Sequence, residues 1–376
     1  MSPLRSVLLL ALLCPLLPAT RAQVPTTPAR PAPSIVVSPD IGSDGVTFRL
    51  RAPEAQKVSL RGQWDPKPFA LRRDADGLWS VSVPSVPAGV WEYSLVVDGV
   101  EMIDPGNTAI KPMRAPRTSI LHLPNNPPAP WDFQDIPHGI VHQHSYFSRV
   151  LGRARELVVY TPPGYTPDAR KPYPLLMLQH GSGDNHATWV THGKAHWILD
   201  HLIAAKKAVP MVVVMLDGHP FTPGEMRTGP NRAEELAAFR RELFEVALPL
   251  VEAQYAVAGD AARRAIAGLS MGGRQAMSIG LTSPEQFGWV AAFSSTPPSG
   301  STQDALLASA AANSGSRRLL WIACGREDSR FELSEAFIAK LKAAGVPHEW
   351  HPTPGDHVWP VWRGHLVDFL PRLFHP

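Results

Sequence analysis

Ala265-Ile266-Ala267-Gly268-Leu269-Ser270-Met271-Gly272-Gly273 reads as an apolar strand, then a Gly-x-Ser-x-Gly turn, then a segment able to start a helix. A serine on such a turn sits on sharply bent backbone. Its neighbours must be small, and the bend lifts the hydroxyl out of the sheet toward a substrate. The pentapeptide alone is a weak signal, because an ordinary glycine-rich turn has the same composition. Its place directly after an apolar strand gives it weight and makes Ser270 the candidate nucleophile.

A serine hydroxyl needs a base within hydrogen-bond reach, and on a strand–elbow–helix scaffold the partners follow in the order Ser, Asp or Glu, His. Downstream, the apolar run Leu319–Ala323 is followed by Cys324-Gly325-Arg326-Glu327-Asp328. Asp328 thus lies just past the C-terminal end of a strand, where open α/β sheets build ligand sites. Glu327 competes with it, and a helix cap or solvated loop carboxylate is the plainer reading of either. Of the later histidines, His348 and His351 fall in the last expected strand and His365 on the closing helix. His357 occupies the loop between, in Pro354-Gly355-Asp356-His357-Val358-Trp359, and is the candidate base. Asp356 is too close in sequence to His357 to meet the far ring nitrogen.

Attack on an ester carbonyl also needs donors for the developing oxyanion. The elbow supplies the backbone amide of Met271. The loop His180-Gly181-Ser182-Gly183-Asp184, after the strand Leu175–Gln179, should supply the amide of Ser182, although a plain tight turn would look the same.

Outward from these motifs the pattern alternates between strand and helix. Strands are expected at Leu157–Thr161, Leu175–Gln179, Met211–Leu216, Ala265–Ala267, Val290–Phe293, Leu319–Ala323 and His348–His351. Helices are expected at Ala195–Ala205, Ala233–Gln254, Gly273–Leu281, Leu333–Ala344 and Val361–Phe374. Continuous apolar strands joined by helices imply a mainly parallel sheet covered on both faces, the α/β-hydrolase fold, over residues 131–376. Residues 34–123 differ. Short alternating segments such as Val46–Leu50, Val58–Arg61, Trp79–Val83 and Trp91–Val97, separated by Asp-Gly and Pro-Ala-Gly turns, indicate a small all-β sandwich. The Pro-rich stretch 124–130 joins the two as a semi-rigid linker.

Residues 1–22 carry an early Arg5, an apolar run from Val7 to Leu17 and a small-residue site at Ala19-Thr20-Arg21-Ala22, which together read as an export signal. Pro15 and Pro18 argue against a core helix there. Export would place the protein in the periplasm or outside the cell, with residues 23–33 as a flexible leader. No later apolar run reaches membrane-spanning length. Of 376 residues, 36 are basic and 33 acidic, scattered without a basic stripe, which disfavours nucleic acid as a partner. The chain has 2 cysteines, and Cys14 lies in the expected signal, so Cys324 stands alone in the mature chain without an intramolecular disulfide. Lipidation of Cys14 is disfavoured, because Leu12-Leu13 replaces the small residues such a site needs. The pairs His142, His144 and His192, His196 invite a metal reading, but no third ligand is evident and no metal or other cofactor is expected. Oligomeric state is not legible.

These residues together resemble carbohydrate esterase family one, the feruloyl and acetyl-xylan esterases related to esterase D, preceded by an early-set immunoglobulin-like module. The matching motifs are Leu178-Gln179-His180-Gly181-Ser182-Gly183-Asp184, Val214-Met215-Leu216-Asp217-Gly218-His219, Ala267–Gly273, Cys324-Gly325-x-x-Asp328 and Gly355-Asp356-His357-Val358-Trp359. The resemblance implies an acyl-enzyme mechanism on an acylated carbohydrate or small ester, with His180, Gly181, Asp184, Asp217 and Trp359 as pocket candidates. Two departures, His186 where relatives often have Glu and the stretch Phe221–Pro230, leave ferulate against acetate open. Acyl transfer, siderophore-ester hydrolysis and a carbohydrate-binding protein with an inactive hydrolase domain are the alternatives. Trp64, Trp79 and Trp91 could stack on sugar rings, but such residues more often fill a sandwich core.

Overall fold

The structure is a computed structural model that describes residues 36–226 and 232–375. The expected export signal and leader, residues 1–33, and residues 227–230 of the Phe221–Pro230 stretch lie outside the described residues. The described residues belong to one compact unit.

Two antiparallel sheets come first. One runs Asp40–Gly42, Gly45–Arg51, Leu78–Val83, Arg72–Arg73; the other runs Asp65–Ala70, Val58–Gly62, Gly89–Val97, and Val100–Met102 and Ser119–Leu123 both pair with Gly89–Val97. Strand alternation sends Val46, Phe48 and Leu50 inward, where they meet Val58, Leu60, Tyr93 and Leu95 in one apolar core. Trp79 is buried there and donates its indole N–H to the Ala52 carbonyl at 2.8 Å, while Trp64 and Trp91 pack against the same core.

The second part is an eight-stranded sheet in the order Ile140–Ser148, Arg153–Thr161, Val212–Leu216, Leu175–Gln179, Arg264–Leu269, Trp289–Phe293, Leu319–Gly325, Glu349–Thr353. The first two strands pair antiparallel, the second also runs antiparallel to Val212–Leu216, and every remaining pair is parallel. Alternate residues of each strand feed two cores: Ala265, Ala267 and Leu269 face the helices Ala195–Ala204 and Trp359–Phe369, while Ile266 faces Met271–Gly280 and Phe331–Ala343. Coverage on both faces is why these strands are apolar throughout; each fully buried Val, Leu or Ile contributes about 1.5–3 kcal/mol.

Besides the one-turn helices Thr188–Thr191 and Pro223–Met226, three longer elements depart from the sequence expectation. Ile140–Ser148 is an edge strand with exposed Ile140, Val141 and Phe147, so it lacks the continuous apolar run that marks its neighbours. The Ala-rich segment Gly300–Ala312 forms a further helix. The helix expected over Ala233–Gln254 is interrupted by a wide turn at Leu243–Ala247. Pro249 follows at once, and its ring cannot sit against the carbonyl four residues back in a regular helix.

Candidate active site

The elbow is built by close backbone approach. The strand Arg264–Leu269 ends at Ser270, which holds φ +50° and ψ −112°, and the helix Met271–Gly280 begins on the next residue. Such a backbone costs about 1–3 kcal/mol and persists only where its surroundings over-determine it. They do so here. A Cβ on Gly272 would lie 2.5 Å from the His180 carbonyl oxygen, one on Gly268 2.6 Å from the Gly272 carbonyl carbon, and one on Gly273 2.8 Å from Ser295 Cβ. The Ser270 amide donates to the Phe293 carbonyl of the neighbouring strand at 2.8 Å.

Parallel strands then bring the distant partners to the same sheet end. Asp328 lies three residues past Leu319–Gly325 and His357 four past Glu349–Thr353, strands in register at Gly325 and Thr353. His357 Nδ1 is 2.7 Å from Asp328 Oδ2, and its Nε2 is 3.1 Å from Ser270 Oγ. Burial alone would raise the Asp328 carboxyl, but hydrogen bonds from His357 and from the Arg330 amide hold it below the ordinary carboxylate range. Ionised Asp328 accepts from Nδ1–H, which leaves Nε2 to accept the serine proton. Glu327 serves otherwise: its carboxylate accepts the Gly355 amide and ties down the His357 loop. Trp362 packs edge-on against the imidazole at 4.8 Å between ring centres. Cys324, beneath the acid, is buried, and burial together with the Asp328 charge pushes its thiol up to about 11.

The loop after Leu175–Gln179 lies against the elbow: a Cβ on Gly181 would come within 3.6 Å of Ser270 Cβ. Ser182 is exposed at its tip, and the Asp184 amide closes the turn on the Gly181 carbonyl at 3.3 Å. On the other side Met271 opens a helix whose N-terminus adjoins Ser270, a setting that favours negative charge.

Of the pocket candidates, Asp217 lines an open cavity. His180, Asp184 and Trp359 are buried. Gly181 is buried too and serves by close approach to Ser270. His180 Nδ1 lies 2.8 Å from the Gly181 carbonyl, and its Nε2 accepts the Gly218 amide at 2.8 Å. Trp359 packs among Trp189 and Trp362, and its indole is large and apolar enough to make that its better environment. The cavity holds about 510 Å³ and is lined by Arg114, Arg155, His186, Asp217, His219 and Phe221 among others. Both sequence departures, His186 and the start of Phe221–Pro230, therefore border one space. Burial alone would raise Asp217, but its contacts with His180 and Arg155 hold it well below the usual range. Burial pushes His219 down to about 3, so its neutral Nε2 accepts the Gly183 amide at 3.1 Å.

Residues that no motif revealed complete the frame. Arg155 clasps the carbonyls of Asp217 and His219 at 2.6 and 2.8 Å, Gln275 donates to the Gly218 carbonyl at 2.8 Å, and Lys111 reaches Asp184 at 3.0 Å. Among the histidine pairs, His142 Nε2 is 3.1 Å from Thr161 Oγ1 and His144 Nε2 is 2.6 Å from the Tyr255 hydroxyl. His192 is fully buried beside Glu92 at 3.5 Å.

A sheet of this order, with a serine elbow and a hydrogen-bonded Ser–His–Asp array at its strand ends, defines an α/β-hydrolase-like fold. Residues 148–373 match the family described as "Putative esterase", and the chain belongs to it. It is 30% identical over 349 residues to an endo-1,4-beta-xylanase/feruloyl esterase of Xylanibacter ruminicola, covering 89% of this chain and 46% of that protein. It is 27% identical over 274 residues to the iron(III) enterobactin esterase of Escherichia coli, covering 70% of this chain and 64% of that one. The chain thus spans less than two thirds of the length of these relatives. Among solved structures, a ferulic acid esterase of Anaeromyces mucronatus aligns with TM-score 0.56 and 23% identity over 65% of this chain and 93% of its own. The enterobactin esterase of Shigella flexneri aligns with TM-score 0.62 and 23% identity over 88% of this chain and 94% of its own. At these identities the likeness shows the fold.

Proposed function

We propose that this esterase is a serine carboxylesterase that hydrolyses O-acyl esters, feruloyl or acetyl, of plant saccharides. The single observation that carries the mechanism is the Ser270–His357–Asp328 array, with distances of 3.1 and 2.7 Å. Ser270 Oγ attacks the ester carbonyl while His357 Nε2 takes its proton, and Asp328 holds the imidazole and offsets its new charge. The amides of Met271 and Ser182 receive the oxyanion. The imidazolium then protonates the departing alcohol, leaving the acyl group on Ser270, and a water activated by His357 releases the acid.

The cavity beside the Ser182 loop carries hydrogen-bonding groups on Arg114, Arg155, His186, Asp217 and His219 next to the apolar Phe221, which suits an aromatic or hydroxylated ester. The Xylanibacter relative, an endo-1,4-beta-xylanase/feruloyl esterase, supports the feruloyl class. A second reading, hydrolysis of a catecholate siderophore ester, is favoured by one observation: the 27% identity to the iron(III) enterobactin esterase of Escherichia coli over 70% of this chain. Export to the periplasm or beyond is part of the proposal and rests on residues 1–22. The test is hydrolysis of p-nitrophenyl acetate, methyl ferulate, an acetylated xylo-oligosaccharide and a catecholate trilactone by wild type and Ser270→Ala. Ser270-dependent preference for the ferulate or xylan ester is expected; preference for the trilactone would replace the saccharide reading, and turnover that survives Ser270→Ala would overturn the mechanism.

A further inference from the structure

The segment Lys111–Arg114, which precedes the strand Ser119–Leu123 of the N-terminal sheets, lies along the back of the Ser182 loop. Three successive contacts join them. Met113 bridges Asp184 in antiparallel fashion, the Arg114 amide donates to the Gly183 carbonyl at 2.9 Å, and Thr188 Oγ1 donates to the Pro112 carbonyl at 2.7 Å. Lys111 adds a charge at the centre. Its ammonium lies 3.0 Å from Asp184 Oδ1 and 3.0 Å from Glu92 Oε1, and the side chains of Lys111 and Asp184 are only 8% and 5% exposed. Glu92 is fixed in turn by Thr118 Oγ1 at 3.0 Å. The same ammonium stands 5.7 Å from the centre of the Trp359 ring, two residues beyond His357. Lys111 therefore touches both the loop that offers the Ser182 amide and the first turn of the helix that follows the base.

Taking this cluster out of water is costly, and a buried ion pair is weak evidence for stability; its best-attested use is to hold one arrangement against others. Here Asp184 is two residues from Ser182, on a turn whose own closing hydrogen bond is 3.3 Å long and whose Gly183 takes φ +84°. Little within the loop itself fixes it. We infer that Lys111 is a positioning residue for the acyl-transfer step: it pins Asp184 so that the Ser182 amide faces the oxyanion, which makes the N-terminal sheets a working part of the active site. This rests on the serine-esterase reading.

Displacement of an active-site group by about 1 Å costs on the order of 10²-fold in rate. Lys111→Met in the full chain should therefore lower kcat on p-nitrophenyl acetate by about 10²-fold with KM changed little, because the amide acts on the transition state and not on the bound ester. Lys111→Arg should restore most of the loss. Asp184→Asn, which keeps the shape and removes the charge, should show a smaller kcat loss of the same kind and serves as the test if Lys111→Met does not fold. Wild-type kcat in a folded Lys111→Met, or in Asp184→Asn where that variant stands in, would overturn the inference while leaving the esterase reading intact. So would a loss that falls on KM alone or that Lys111→Arg does not relieve. Absence of Ser270-dependent turnover in the wild type would overturn both.

Discussion

The elbow and the Ser182 loop face each other across the same reacting atoms, yet they are held by opposite means. The elbow is fixed by its own sequence: Gly268, Gly272 and Gly273 let the backbone close to distances no side chain would permit, and the strained Ser270 is locked between a strand and a helix both buried around it. The loop is fixed by residues far away in the chain, Lys111, Pro112, Arg114 and His219. Local sterics hold Ser270 rigid, whereas the proposed second oxyanion donor, the Ser182 amide, depends on how distant parts dock.

That contrast can be broken or sharpened by experiment. The largest effect should come from the elbow and its relay. Ser270→Ala should lower kcat/KM by about 10⁴-fold or more, and Asp328→Asn, which leaves the imidazole without an ionised partner, by about 10³–10⁴-fold in kcat. Glu327→Gln, one residue away, should cost little in kcat, because its carboxylate ties down backbone and does not reach the imidazole. Ester hydrolysis at saturating substrate separates the three, and a Glu327 effect as large as that of Asp328 would reverse the assignment of the acid.

Stability should divide along the same line. Gly272→Ala drives a methyl group into the His180 carbonyl and should cost about 3 kcal/mol, the upper end of overpacking. Gly183→Ala meets nothing within 4 Å and pays only for its positive φ, about 1–2 kcal/mol. Urea denaturation of the two variants measures the difference, and equal costs would mean that the elbow has slack after all.

A further effect is pH-dependent and comes from four buried histidines. His192, His196, His219 and His365 are held neutral by burial, His192 well below its ordinary value, His196 and His219 at about 3 and His365 at about 4. The unfolded chain binds protons at these groups below about pH 6.5, while the folded chain does not. Their stabilising contribution is therefore complete above that pH and is lost as pH falls toward the folded values, by up to about 1.4 kcal/mol per pH unit for each histidine. Thermal melts from pH 7 to pH 4 should show Tm falling. His219→Gln should flatten the slope by one histidine's share, and an unchanged slope would mean that His219 is not buried neutral.

Much of this was legible in the sequence because it is written in contiguous residues. The parallel strands announce themselves as apolar runs, and the order Ser, Asp, His narrows the relay to a few candidates that each follow a strand. The sequence favours Asp328 over Glu327, and the turn after Gly325 sets the two carboxylates apart: Asp328 meets the imidazole and Glu327 the Gly355 amide. Trp362 gave no signal in the sequence: the helix that starts at Trp359 packs Trp359 against Trp189 and sets Trp362 edge-on against the imidazole. Lys111 and Arg155 gave no signal at all: their roles arise from docking across 73 and 62 residues of chain to Asp184 and Asp217.

The most direct test of the account is covalent capture of the nucleophile. Incubation of the wild type and His357→Ala with a p-nitrophenyl phosphonate, followed by peptide mass mapping, should place one adduct on Ser270 in the wild type and slow its formation by about 10³-fold or more in the variant. An adduct on any other residue, or ester turnover that continues with Ser270 unlabelled, would contradict it.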